Sequence, residues 1–237
     1  MIFLEFRSRL KTFFSRIIFS SDIINRPFQT VEVPVESVEK IVNLYYKNHV
    51  EYYKKYGTFE NDISSCKFGT ILQGGWDKRN KPYFDEALPY IALNQRFVEK
   101  KSWDKTAYYK RFINRVKFEG GGRGNHKNWN QFKKNYLYKI DNLYKEIKIN
   151  GYKSQKELNE HSSNEVQVCI SRDGEILFRD GRHRLSIAKI LNIKSIPVIV
   201  YIWHKKYIDL IKNNIEGKII PSTAIKPILN ECKYDFK

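Results

Sequence analysis

Within five residues, Asp180 to Arg184, the chain places a carboxylate, a glycine, two guanidinium groups and an imidazole. Side chains of these types bind anions and carry protons. Ile176, Leu177 and Phe178 precede them as a strand would. Leu185, Ile187, Ala188, Ile190 and Leu191 follow at the spacing of one helix face. Arg182, His183 and Arg184 therefore fall on the first turn of a helix. That turn leaves backbone N–H groups unpaired and carries the positive end of the helix dipole. Phosphate is the anion it suits best. Asp180 is the nearby carboxylate, placed to cap the helix or to hold a cation. The competing reading takes Arg182 and Arg184 as solvated and His183 as a core histidine.

The elements that must position these residues are legible on both sides. Glu165–Ile170 and Glu175–Phe178, joined by Ser171-Arg172-Asp173-Gly174, predict a β-hairpin leading into the turn. Ser154 and Glu157 form a capping box that opens a short helix. Ile196 to Val200 predicts the strand after the signature helix.

Gly181-Arg182-His183-Arg184, followed by Ala188-Lys189 and then Ile196-Pro197-Val198, resembles the ParB/sulfiredoxin superfamily. Its members carry Gly-x-x-Arg between a strand and a helix, and bind nucleotide phosphates at the helix start. The form is similar to the archaeal free-serine kinase branch and to uncharacterised archaeal relatives. The resemblance is specific from about Glu165 to Val200, and Val31–Val35 fits the opening strand of the same domain. It implies an α+β fold: a small mixed sheet in a ParB/sulfiredoxin-like core with a large helical elaboration. It further implies ATP or another nucleotide, with Mg, and kinase-like phosphotransfer to an acceptor it does not identify. Gly181, Arg182, His183 and Arg184 would hold the nucleotide, Asp180 the metal, and Asp180 and His183 would take part in catalysis. Hydroxyl attack needs a carboxylate base; Glu36, Glu39 and Asp77 are the candidates. Sulfiredoxins carry their nucleophilic Cys where this chain has Arg182, so sulfinic-acid repair is not expected. The chain after Val200 is too short for the helix-turn-helix module of chromosome-partitioning members.

Composition bounds the rest. The chain has 237 residues, 41% hydrophobic, with 16 Tyr and 15 Phe, enough for a sizeable core and unlike a disordered chain. A net charge of +17 points to a polyanionic partner: nucleic acid, an anionic membrane surface or a phosphorylated small molecule. Cys66, Cys169 and Cys232 show no metal-binding spacing and suit a reducing cytoplasm. No apolar run reaches the roughly 18 residues that cross a bilayer.

Residues 1–28 predict a basic amphipathic helix. Its Phe3, Phe6, Leu10, Phe13, Phe14 and Ile17 fall among Arg7, Arg9, Lys11 and Arg16. Such a helix lies on a membrane, making the protein peripheral at its inner face, or docks on protein. Residues 29–237 read as one domain: a helical insertion over about 36–150, the signature core at 154–203 and a C-terminal helix at 204–216. Inside the insertion, Ser37–Tyr56 reads helical, and 69–82 reads as a loop whose Gly74-Gly75-Trp76-Asp77 offers a second site. Helices follow from Ser102 (inward Trp103, Tyr109, Phe112, Ile113 and Val116) and over Asn130–Lys148, stopped by Gly151. Residues 119–126, rich in glycine, lack the Lys-Ser/Thr ending of a phosphate loop and read as a linker. A nucleic-acid-binding protein or ParB-like nuclease is the rival function. Against it, no basic stripe with stacking aromatics falls on one clear face, and no multi-carboxylate metal cluster appears. A third reading is a membrane-surface accessory protein that binds a phosphorylated lipid or sugar nucleotide.

Overall fold

A computed structural model describes residues 28–42, 66–78, 81–119, 126 and 128–215. The predicted N-terminal amphipathic helix and nearly all of the glycine-rich linker lie outside the described residues. The protein is α+β. It gathers into two compact units, one built from Met1–Tyr83, Ser154–Asp180 and Ser195–Lys237, the other from Phe84–Lys153 and Gly181–Lys194.

The first unit holds a six-stranded mixed sheet of β1 (Thr30–Pro34), β2 (Lys40–Ile41), β3 (Thr70–Leu72), β4 (Val166–Ile170), β5 (Ile176–Asp180) and β6 (Ser195–His204). The order is β1-β6-β4-β5-β2, with β3 also on β6. β4 and β6 are near-continuous runs of β-branched and aromatic residues, and all of β4 is buried. Such runs suit central strands covered on both faces. β1 alternates instead, with Val31 and Val33 inside and Thr30 and Glu32 outside, as an outer strand does. The predicted hairpin forms, Ile170 facing Ile176. The Ile196–Val200 strand forms too, but Tyr201 to His204 continue it, all buried.

Strand direction fixes which loops share an end of the sheet. β1 is antiparallel to β6, and β5 is antiparallel to β4, which runs with β6. Pro34 and Asp180 therefore finish at the end where β6 begins. β3 runs with β6, so the Trp76–Lys78 turn that follows it lies toward the opposite end.

Two expectations for this unit fail. Ser37–Tyr56 does not begin as a helix: Val35–Ser37 is a single 3-10 turn, and Lys40 and Ile41 pair with Leu177 and Phe178 as β2. Backbone pairing to β5 wins over the helical spacing of Val38, Ile41 and Val42. The remainder of that span lies outside the described residues. The loop over 69–82 contains β3, three residues long and paired to β6.

The second unit is helical: α1 (Leu88–Phe97), α2 (Ala107–Glu119), α3 (Trp129–Phe132), a π-helical turn (Lys133–Leu137), α4 (Tyr138–Asn150) and α5 (Arg182–Ile190). Leu93, Phe112, Leu137, Ile140 and Ile187 anchor its core. A run of rings lines it: Phe112 stacks on Phe132, which stacks on Tyr136. α1 is absent from the sequence reading. The second predicted helix starts late, at Ala107, after a 3-10 turn over Trp103–Lys105. It is also rotated: Tyr108 and Phe112 point inward, while Ile113 is 41% exposed. Gly151, at φ 76°, ends α4 as predicted. In the sheet unit, Ser154 and Glu157 make the reciprocal capping-box bonds, the Ser154 N–H donating to Glu157 Oε2 and the Glu157 N–H to Ser154 Oγ, but the chain completes one turn only and leaves at Asn159, whose φ is 58°. The last helix, α6, is Lys205–Ile215.

Candidate functional site

The signature turn forms as its residue types dictate. Gly181 caps α5 in the left-handed region, φ 88°, where a Cβ would be strained, and it has no side chain to cap the helix. The first i→i−4 bond runs from the Leu185 N–H to the Gly181 carbonyl. Leu185, Ile187 and Ala188 are fully buried, which fixes the rotation of α5. Arg182 is then left exposed, and His183 and Arg184 half-buried.

Each basic side chain meets a different environment. His183 Nε2 lies 2.7 Å from the Tyr108 hydroxyl and 3.3 Å from that of Tyr136. Both rings meet the imidazole edge-on. A hydroxyl both donates and accepts. Tyr108 can donate to Nε2 of the neutral ring, or accept from Nε2–H of the cation, without moving. Tyr136 stands in the π-helical turn, the irregularity that lets one residue of a helix be re-aimed. Arg184 donates through Nη2 to the Lys153 carbonyl at 2.5 Å, and its guanidinium sits 4.5 Å from the Tyr152 ring centre. It braces the end of α4 against α5. Arg182 carries the exposed charge of the turn, while its carbonyl takes the Ser186 hydroxyl at 2.7 Å.

The other predicted residues lie in the sheet unit and are not one cluster. Asp180 is exposed at the end of β5. Glu36 is exposed in the 3-10 turn after β1, toward the same end of the sheet; Glu39 is exposed just before β2. Asp77 is elsewhere. It follows β3, and Arg172, which clasps it, follows β4, so both lie at the opposite end of the sheet from Asp180.

Asp77 is also occupied. Its side chain is 3% exposed. Oδ2 accepts the Arg172 backbone N–H at 2.9 Å and its Nε at 2.8 Å; Oδ1 accepts Nη2 at 2.6 Å. Nη2 also donates to the Gly74 carbonyl. Buried His204 accepts the Lys206 N–H on Nδ1, which leaves its proton on Nε2, 3.0 Å from the same carbonyl. Trp76 packs beside that ring. Burial pushes the Asp77 carboxyl up, but the Arg172 hydrogen bonds outweigh it and hold the group below its ordinary range. A carboxylate so stabilised and saturated is a poor base. Gly74-Gly75-Trp76-Asp77 is thus a clamp tying β3 to the β4–β5 turn, and the Asp77 carboxylate, expected as a base, is held by Arg172 instead.

Sequence reasoning missed Tyr108 and Tyr136, which lie 75 and 47 residues from His183. It also missed Lys40 and Lys81, which both pair with Glu175. No local pattern links partners so far apart. Cys169 is a core thiol, as its strand setting predicts; burial pushes it up to about 12, far from a reactive thiolate. Among the described residues no group of three or more His, Cys, Asp or Glu is arranged to hold a metal, and no helix is long and apolar enough to cross a membrane. No family model, no curated protein and no solved structure matches the chain.

Proposed function

We propose that the start of α5 is a phosphate-binding turn of a ParB/sulfiredoxin-like core, and that its ligand is a nucleotide used in phosphotransfer. The observation that carries this reading is the His183 arrangement. Two tyrosine hydroxyls converge on its Nε2 at the first turn of a helix whose cap is a bare glycine, with the exposed Arg182 guanidinium beside it in the chain. A core histidine needs one partner, and a solvated one needs none. The phosphates would meet the helix N-terminus and Arg182, while Arg184 keeps the turn rigid and His183 holds or passes a proton through Tyr108. Mg²⁺ binds through one or two carboxylates plus substrate phosphates, and the sequence supplies Asp180 two residues before Arg182. When bound, it would neutralise charge on the transferred phosphoryl group.

The test is thermal melting of the full chain against a panel of nucleoside triphosphates and inorganic phosphate, with and without Mg²⁺, beside the Arg182→Ala variant. The expected result is a rise in Tm with at least one nucleotide that Arg182→Ala loses, at the cost of roughly 1.5–3 kcal/mol of binding for a charged contact. A folded Arg182→Ala chain that binds as well as the parent sinks the assignment.

A further inference from the structure

Positive charge is not spread evenly along this chain. Phe84–Lys153 and Gly181–Lys194, about a third of the residues, hold 20 Lys and Arg against 7 Asp and Glu, or +13 of the total +17. The signature turn accounts for only two of those cations. The helical unit therefore carries a field of its own, of the kind that draws in polyanions.

On α2 that charge is organised. With Tyr108 and Phe112 turned into the core, the opposite face presents Lys110, Arg111, Ile113, Asn114, Lys117 and Phe118, all exposed. Every charged residue among these is basic. Lys110 and Lys117 stand two helical turns apart, about 10 Å along the axis. Phe118 is 74% exposed, and the Lys117 ammonium lies 5.2 Å from its ring centre. The inward phase predicted from the sequence put Ile113 in the core, whereas the structure places it on this outward face.

We propose that the outward face of α2 is a binding surface for single-stranded nucleic acid, separate from the phosphate-binding turn. Lysine and arginine along a helix match a backbone that carries one charge per nucleotide, and an exposed aromatic ring beside them offers a stacking platform for an unpaired base. The alternatives fit less well. A helix that lies on a membrane offers its apolar face to lipid, but the apolar face of α2 is packed inside its own unit, leaving only Ile113 and Phe118 outside. A protein partner would need an apolar centre in the patch, and the centre here is Lys110 and Asn114.

The experiment measures fluorescence anisotropy of a labelled single-stranded oligonucleotide, and of its duplex, with the full chain in graded salt. Three neutralised phosphates contribute about −2 to the slope of log K on log salt for a single strand. Lys110→Glu/Arg111→Glu/Lys117→Glu is expected to weaken binding at least tenfold at low salt and to flatten that slope. Phe118→Ala is expected to weaken single-strand binding about tenfold and to leave the duplex unaffected. Arg182→Ala is expected to keep full affinity, which separates this surface from the phosphate turn. Melting curves confirm folding, and Lys110→Glu alone, at a solvent-exposed position, serves if the triple variant unfolds. Unchanged affinity in a folded charge-reversed chain, a duplex preference indifferent to Phe118, or binding to phosphatidylserine vesicles without binding to nucleic acid would each overturn the proposal.

Discussion

The sheet unit and the helical unit each contain a polar cluster built around a histidine, and the two are built for different ends. Around His204, Asp77 and Arg172 satisfy one another, the imidazole is 1% exposed, and the carboxylate faces only its partners. Around His183, the partners are tyrosine hydroxyls, the imidazole is half-buried, and the neighbouring Arg182 is in solvent. The first cluster spends its charge on holding two loops together. The second leaves the charge of Arg182 exposed. Residue types alone do not separate the two clusters: each sets an Arg near a His. What separates them is whether each polar atom is already matched.

The sharpest way to break that contrast is to remove a partner from each cluster. Asp77→Ala removes a buried carboxylate and leaves the partly exposed Arg172 guanidinium without its partner, and is expected to cost about 3 kcal/mol, read as a fall in denaturation midpoint with an unchanged slope. If it melts like the parent, the clamp is not structural. The sheet unit also makes a pH prediction. Asp77 and Glu175 both titrate below their ordinary range in the folded chain, where Arg172, Lys81 and Lys40 overcome the opposing effect of burial. The stability they contribute is therefore complete above about pH 4, the unfolded value. It is lost as the pH falls through their depressed folded values. Denaturation midpoints measured from neutral pH downward should fall most steeply below pH 4 or so, and less steeply in Asp77→Asn.

In the helical unit the two arginines of the signature should part company. Arg184→Ala loses a charged hydrogen bond to the Lys153 carbonyl and the Tyr152 ring, and should destabilise by about 1.5–3 kcal/mol. Arg182→Ala, at an exposed position, should stay within about 0.5 kcal/mol of the parent in urea unfolding. Equal losses would mean that both arginines are structural. The smallest effect is expected for Tyr108→Phe, which removes one hydroxyl from His183 and should cost about 0.5–1.5 kcal/mol. It should also move the His183 imidazole resonances seen by NMR, and resonances identical to the parent would detach Tyr108 from the histidine.

Much of the frame around the signature was legible in advance. The hairpin of β4 and β5 follows from apolar runs on either side of Ser171–Gly174. The α5 rotation follows from Leu185, Ile187 and Ala188, and the stop at Gly151 from glycine's tolerance of positive φ. α1 was not legible, because only Ala92 and Leu93 of its ten residues are buried, too few to declare a face. α2 was read out of phase because Tyr108 and Tyr109 are adjacent and chemically alike. Packing against Trp103 and Tyr136 decides which one turns inward. β2 and β3, of two and three residues, exist only through neighbours that pair with them.

The sequence by itself determined the local geometry of the basic turn: a strand, a glycine free to adopt φ 88°, and a helix whose apolar stripe steers Arg182 outward. Those are consequences of residue period and backbone sterics, which act over a few positions. Only the tertiary structure decided which charged residues are spoken for. It gave Asp77 to Arg172, 95 residues away, and His183 to Tyr108, 75 residues away. Hydrogen bonding and burial act across space, so whether a polar group is matched is settled by contacts that no local spacing encodes.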